Sequence, residues 1–247
     1  MPMPTTTRQL TLLSYNIHSG VGLDGLLDLG RIAHVIEGSG ADLVALQEVD
    51  RFRREQSRFE DQPGSIAQRL GMHHAFAANL DDEPARPGAP RSQYGTALLS
   101  RLPLESSGNT LLPCFEGSEQ RGLLEATVVV EGTPLRVLGT HLQWDSETER
   151  TRQAESIVTG LDERPTVLLG DLNTTPGSPT YQCLAASLAD AWTLAGEGEG
   201  HTFDAEPPPR RLDYVFVGGG VEVVAARVLP SVASDHSALR VEVRLPG

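Results

Sequence analysis

The run Thr166-Val167-Leu168-Leu169-Gly170-Asp171-Leu172-Asn173-Thr174-Thr175-Pro176 limits the fold of this chain more than any other stretch. A short apolar run closed abruptly by Gly, Asp, Asn and Pro reads as a buried strand. The turn after it projects polar groups from the strand's carboxyl end. Asp171 and Asn173 are two residues apart, so they share a face if the strand geometry persists. A carboxylate beside an amide carbonyl is a hard-oxygen pair, suited to magnesium or to positioning a water. The same residues also suit an Asx-rich turn in which each side chain bonds only its own backbone.

The flanking sequence supplies the partners such a strand needs. Residues 9–17 read as a first buried strand with Leu10, Leu12, Ser14 and Asn16 on one face and His18 following on it. Residues 20–25 are a loop, and Asp28 caps a helix over 29–38 that stops at Gly38 and Gly40. A strand over 42–49 carries Glu48 where its apolar run ends. A helix near 63–70 leads to a strand at 73–78, a loop at 81–92, a strand at 94–100 and a further segment around 102–106. Residues 122–130 and 134–142 form a hairpin ending in His141. A charged helix fills 146–160, and Ser178-Pro179 starts another that runs to about 186. A Gly-, Glu- and Pro-rich loop over 195–211 precedes strands at 211–217, 221–229 and 237–244. No internal repeat recurs at a fixed period. Strands outnumber helices, and the helices do not alternate strictly with them. The expected fold class is therefore a mixed α/β sandwich with antiparallel pairs, one domain over 9–247 behind a tail at 1–8.

Bulk properties exclude several functions. The chain has 33 acidic against 20 basic residues, a net charge of −13. Non-specific binding to duplex DNA draws most of its affinity from counterion release at a basic face, so this balance argues against a general nuclease. The first residues are polar with no apolar signal-peptide core, and no run is apolar enough to span a membrane. Cys114 and Cys183 lack a C-x-x-C spacing, which points to a reducing, cytoplasmic location.

Several polar residues sit where a core would reject them unpaired. Asn16, Glu48, Asp171 and Asn173 lie at strand carboxyl ends, His141 ends the hairpin, and Asp213 interrupts an apolar strand beside Val215 and Val217. Asp235-His236 precedes the last strand. Taken singly, each is an ordinary turn or core residue. Together they furnish oxygen ligands for magnesium, an acid/base pair and donors for a phosphate.

These blocks have a familiar order. Ser14-Tyr15-Asn16-Ile17-His18, Leu46-Gln47-Glu48-Val49, Tyr94-Gly95-Thr96-Ala97, Thr140-His141-Leu142, Gly170-Asp171-Leu172-Asn173, Arg211-Leu212-Asp213-Tyr214 and Ser234-Asp235-His236-Ser237 are spread in this order through residues 9 to 244. Together they resemble the endonuclease/exonuclease/phosphatase superfamily, the deoxyribonuclease-I-like metal-dependent phosphoesterases. The resemblance implies a four-layer α/β sandwich, two face-to-face mixed β-sheets flanked by helices. It implies Mg2+ as cofactor, with Mn2+ the alternative. Glu48 would be the principal metal ligand, assisted by Asn16 and Asp235. Asp171 would position or deprotonate the attacking water, with Asn173 beside it. His236, oriented by Asp213, would contact the phosphate or act as acid/base, and His141 would donate to a phosphate oxygen. Tyr94, Arg121 and His18 are weaker candidates for substrate binding, and Arg121 reads equally as a surface ion pair. Gly20-Val21-Gly22 and Gly218-Gly219-Gly220 lack the strand–turn–helix setting of a nucleotide fingerprint.

For the substrate, the acidic charge and the lack of a basic–aromatic stretch favour a small-molecule or lipid-derived phosphodiester, hydrolysed by a monomer. The alternative is a DNA endonuclease or exonuclease of apurinic/apyrimidinic or deoxyribonuclease type. Arg211-Leu212-Asp213-Tyr214 supports it, with Arg86, Arg91, Arg210 and Arg211 as a local basic rim. A catalytically silent binding module on the same fold is the third reading, and the intact motif set argues against it. The inositol-polyphosphate 5-phosphatase branch does not fit, because its aromatic and Arg elements are missing around Asp171 and Asp213. The stretch from Asn16 to Gly25 is most similar to a set of bacterial metal-dependent hydrolases.

Overall fold

The computed structural model describes residues 9–84, 86–205 and 207–246. Two six-stranded sheets carry the architecture. The first contains β1 (Gln9–Asn16), β2 (Leu43–Arg51), β3 (His73–Asp82), β4 (Ser92–Ser100), β11 (Glu222–Leu229) and β12 (Ala238–Arg244), ordered β11-β12-β1-β2-β4-β3. The second contains β5 (Ser106–Leu111), β6 (Gly122–Val130), β7 (Thr133–His141), β8 (Thr166–Asp171), β9 (Ala189–Asp190) and β10 (Asp213–Gly218), ordered β5-β6-β7-β8-β10-β9. Each sheet has one parallel pair near its middle, β1 with β2 and β7 with β8, and antiparallel neighbours outside it.

The period-two alternation of these strands creates three apolar layers. Leu10, Leu12 and Leu43 of the first sheet meet Leu124, Val137, Val167, Leu169 and Val215 of the second, a core lying between the sheets. The opposite face of the first sheet (Leu13, Tyr15, Val44, Leu46) packs on Ile32 and Ile36 of α1 (Leu29–Ser39) and Ile66 of α2 (Gln62–Leu70). The outer face of the second sheet (Leu138, Leu168, Tyr214, Phe216) packs on Ala154 and Ile157 of α3 (Glu147–Thr159) and Leu184 of α4 (Pro179–Ala185). Two sheets between two helical layers make the four-layer sandwich. Strands apolar on both faces require cover on both sides.

The helices stop and start on the residues the sequence marks. Asp28 accepts from the backbone N–H of Gly30 and Arg31, and Gly40 closes α1 in the left-handed region at φ 67°. Gly71 closes α2 in the same way, whereas its cap is Asp61, just ahead of the Pro63 start that the sequence suggests. Ser178 caps α4 ahead of Pro179.

Five elements differ from the sequence reading. β3 and β4 run on into the expected loop, pairing as far as Asp82 with Ser92. Polar residues are tolerated there because Arg91 donates to Asp81 and Glu83, and Gln93 to Asp81. The segment around 102–106 is a connection, and the strand is β5, whose residues are all exposed. An exposed edge strand of Ser, Gly, Asn and Thr has no apolar alternation to reveal it. β9 and a short helix, α5 (Ala191–Ala195), occupy a region left unassigned, with Asp190 capping α5.

Candidate active site

Topology explains why distant polar residues meet. Parallel pairing sends the carboxyl ends of β1 and β2 to one end of their sheet, and those of β7 and β8 to one end of theirs. β12 and β10 run antiparallel to β1 and β8, so their amino ends arrive at the same places. In register, Asp171 therefore lies beside His141 on one side and Asp213 on the other. The Asn16 amide crosses between the sheets, donating to Asp171 Oδ2 and to Glu48 Oε1, each at 3.0 Å.

Glu48 does not stand at the end of a strand, as its sequence position suggests. β2 continues to Arg51, and the pairing register with β4 shifts between Leu46 and Val49. Within that bulge Glu48 has φ 56°. A bulge re-aims one side chain without ending the strand, and here it turns a carboxylate toward the gap between the sheets.

Strand geometry likewise fails to persist from Asp171 to Asn173, which adopts φ 49°. Asp171 Oδ1 accepts from the Asn173 backbone N–H at 2.8 Å, an Asx turn. That turn uses only one carboxylate oxygen. Oδ2 faces Asn16, with His141 Nε2 at 3.5 Å and His236 Nε2 at 3.7 Å. Asn173 turns its own amide onto the Leu142 carbonyl at 3.0 Å and lies 2.9 Å from His141 Nε2. Burial and the charge of Asp213 push the Asp171 carboxyl up to about 7.

The carboxylate lodged in the apolar β10 strand meets an imidazole. Asp213 Oδ2 is 2.8 Å from His236 Nδ1. Burial opposes charge on His236, but Asp213 and Asp171 outweigh it and raise the imidazole to about 10. Two residues missed in the sequence fix this pair. The Thr202 hydroxyl accepts from the backbone N–H of Leu212 and Asp213, while its carbonyl accepts from Ser237 N–H. Phe203 packs against the His236 ring at 4.8 Å. Phe203 had a signal: it is a lone aromatic within a Gly-, Glu- and Pro-rich stretch.

Among the weaker candidates, Arg121 is buried, not a surface residue, and its guanidinium lies 3.1 Å from His141 Nδ1 and 3.1 Å from Glu119. An ion pair exists there, as the alternative reading held, but inside the protein. Tyr94 is buried under Arg53, and burial with the charges of Glu48 and Glu119 pushes its phenol up, so it remains protonated. His18 leaves the face of Asn16, because the chain turns left-handed after β1. Its ring is half exposed, 3.8 Å from Asp235.

Glu48, Tyr94, Arg121, His141, Asp171, Asn173, Asp235 and His236 line one cavity of about 470 Å³, with Asn16 and Asp213 behind its wall. Trp144, Phe203 and Arg210 complete the rim. Trp144, 68% exposed and three residues past His141, was not singled out in the sequence. A bigger cavity of about 670 Å³ beside α5 and β11 contains none of these groups, so chemistry rather than size marks the site. The expected basic rim does not form. Arg91 is tied to Asp81 and Glu83, Arg211 is buried against Asp190, and Arg86 lies over Phe59. Arg210 alone of the four lines the cavity.

The donor set fits a hard divalent cation. Glu48, Asp171, Asp213 and Asp235 outnumber the cationic groups beside them, and burial together with the Asp213 charge already holds the Asp171 carboxyl up. Oxygens of Asp171 and Asp213 and a nitrogen of His236 lie within 4.8 Å of one another. The His236 Nδ1 bond to Asp213 already occupies that trio, which leaves the Glu48 side of the cavity for an ion.

This fold and this site define a divalent-metal-dependent phosphoester hydrolase. The chain belongs to the endonuclease/exonuclease/phosphatase family, whose profile matches residues 13–236. It is similar to an endonuclease/exonuclease/phosphatase structure from Beutenbergia cavernae, 32% identical with TM-score 0.82, covering 97% of this chain and 72% of that one. A second structure, from Bacteroides vulgatus, is 20% identical with TM-score 0.78 and covers 97% of this chain and all of that one (100%). Protein cwh43 of Schizosaccharomyces pombe is 26% identical over 226 residues, 90% of this chain. The match takes in only 21% of that relative's length.

Proposed function

We propose that this chain is a magnesium-dependent phosphodiesterase acting as a monomer on a small-molecule or lipid-derived phosphoester. The observation that carries this reading is the pairing of Asp171 with His236 across 3.7 Å, at the wall of a cavity that Glu48 and Asp235 also line. Glu48 is the principal ligand, with Asp235 assisting. The Asn16 amide donates to both Glu48 and Asp171, and its oxygen accepts from the His18 backbone N–H. It thus spaces and aims the two carboxylates, and the second lone pair of its oxygen remains to assist Glu48 at the ion. The ion, when bound, neutralises charge on the phosphoryl oxygens.

The protein's own groups supply the proton transfers. Asp171, with its carboxyl near 7, takes a proton from the attacking water at neutral pH. His236 enters as an imidazolium whose Nδ1–H is held by Asp213, so Nε2–H is directed at the substrate. It neutralises the phosphate and protonates the leaving oxygen. The proton on Asp171 then has only 3.7 Å to travel back to His236, which resets the pair. Asn173 and His141 hold the phosphate, and Tyr94 offers a phenol donor at the cavity wall.

A cavity of about 470 Å³ suits a compact ligand. Trp144 and Phe203 give it an apolar side for the leaving group. Arg91 and Arg211 are engaged elsewhere and Arg86 lies over Phe59, which leaves Arg210 as the one member of the expected basic rim at the cavity. None of the described helices is long and apolar enough to cross a membrane.

Hydrolysis of an aryl phosphodiester by chelator-treated protein tests the reading. Magnesium restores hydrolysis in the wild type and not in Asp171→Ala. Hydrolysis undiminished by the chelator, or equal in the variant, overturns it.

A further inference from the structure

The two histidines of the site have opposite neighbours. His236 Nδ1 faces a carboxylate, whereas His141 Nδ1 faces the guanidinium of Arg121 at 3.1 Å. Both Arg121 and His141 are only 4% exposed, so no bulk water mediates between them. A guanidinium carries five N–H donors and no lone pair. The ring nitrogen it meets must therefore present its own lone pair.

A neutral imidazole has one bare nitrogen, and two donors compete for it. Arg121 approaches Nδ1, and the Asn173 amide nitrogen stands 2.9 Å from Nε2. Charge decides between them. Placing an N–H at Nδ1 would point a positive hydrogen at a buried cation. The amide loses little by yielding, because it already donates to the Leu142 carbonyl at 3.0 Å. The surviving Nε2–H has the Asp171 carboxylate 3.5 Å away.

We propose that Arg121 is a positioning residue that locks His141 in the Nε2–H tautomer, so this imidazole serves the reaction as a hydrogen-bond donor and never as a base. The function assigned to the lock rests on the phosphodiesterase reading; the lock itself does not. Burial and the charges of Arg121 and His236 also hold the His141 imidazole well below its ordinary value, in keeping with a neutral donor. Arg121 is in turn braced: Glu119 holds its guanidinium, and its backbone carbonyl accepts from Leu112 N–H and Gln120 Nε2. The site therefore contains an imidazolium that gives up a proton and a neutral imidazole that only donates a hydrogen bond.

Two-bond proton–nitrogen spectra of the full chain with 15N-labelled histidine read the tautomer directly. They are recorded at pH 7.5 without metal or substrate, and His141 is assigned by its absence from His141→Gln. Expected in the wild type are an unprotonated Nδ1 and a protonated Nε2. Arg121→Lys, which still offers only donors, keeps that pattern. Arg121→Met leaves Asn173 as the sole donor facing the ring and moves the proton to Nδ1. If Arg121→Met does not fold by circular dichroism, Asn173→Ala takes its place and must retain the wild-type tautomer. A wild-type Nδ1–H, an unchanged tautomer in folded Arg121→Met, or a switch in Asn173→Ala overturns the proposal. Because no turnover is measured, failure of the hydrolase reading would leave these spectra unaffected.

Discussion

At the scale of single residues, the site separates groups that carry charge from groups that aim them. Asp213 touches His236 and not the cavity, so its replacement acts on turnover. Asp213→Asn is expected to lower kcat by about 100-fold or more while KM changes by less than about threefold. A loss confined to KM, measured on the same aryl phosphodiester, contradicts the orienting role. Asp171 has a signature in stability. Its carboxyl is raised from 3.8 to about 7, so ionisation in the metal-free protein opposes folding. That penalty is absent below about 4, accumulates up to about 7 and is constant above. Asp171→Asn should therefore stabilise the metal-free protein by roughly 2–4 kcal/mol at pH 8, with the gain shrinking as pH falls toward 4. Thermal midpoints across that range test it, and a gain independent of pH refutes it.

At the scale of elements, the bulge in β2 shows stability exchanged for position. Glu48 holds φ 56°, a conformation that costs an L-residue roughly 1–2 kcal/mol and glycine little. Glu48→Ala should abolish metal-dependent hydrolysis with the fold intact. Glu48→Gly should be equally inactive yet more stable than Glu48→Ala by about 0.5–1 kcal/mol. Denaturant titration of the two variants measures the difference, and a less stable glycine variant argues against strain at that residue. The same bulge marks how far sequence reading extends. Strands such as 166–171 are legible because they are apolar on both faces, and α1, α2 and α4 because Asp28, Gly71 and Ser178 announce their ends. The bulge at Glu48 and the exposed β5 are not legible, and the turn at Asn173 is legible only as one of two readings of an Asx-rich stretch. Each is set by a partner strand or by a hydrogen bond formed only in the fold.

At the scale of the whole molecule, one arrangement does most of the work. Two sheets, each with a central parallel pair, bring residues of β1, β2, β7, β8, β10 and the approach to β12 to one site. The identity of the polar residues was readable as strand-end groups, whereas the company of Trp144, Phe203 and Thr202 depends on this three-dimensional convergence. The net charge of −13 acts at the same scale. An acidic molecule whose arginines are mostly paired or buried has little to attract a polyanion.

The measurement that bears most directly on the account sets polymer against small molecule. Supercoiled plasmid, an abasic-site duplex and an aryl phosphodiester are incubated with magnesium at near-physiological salt, with Asp171→Ala as the control for contaminating nuclease. The account predicts hydrolysis of the aryl phosphodiester by the wild type alone, with both DNA substrates left intact. Nicking of plasmid or abasic duplex by the wild type and not by Asp171→Ala would contradict it and make the chain a nuclease despite its charge.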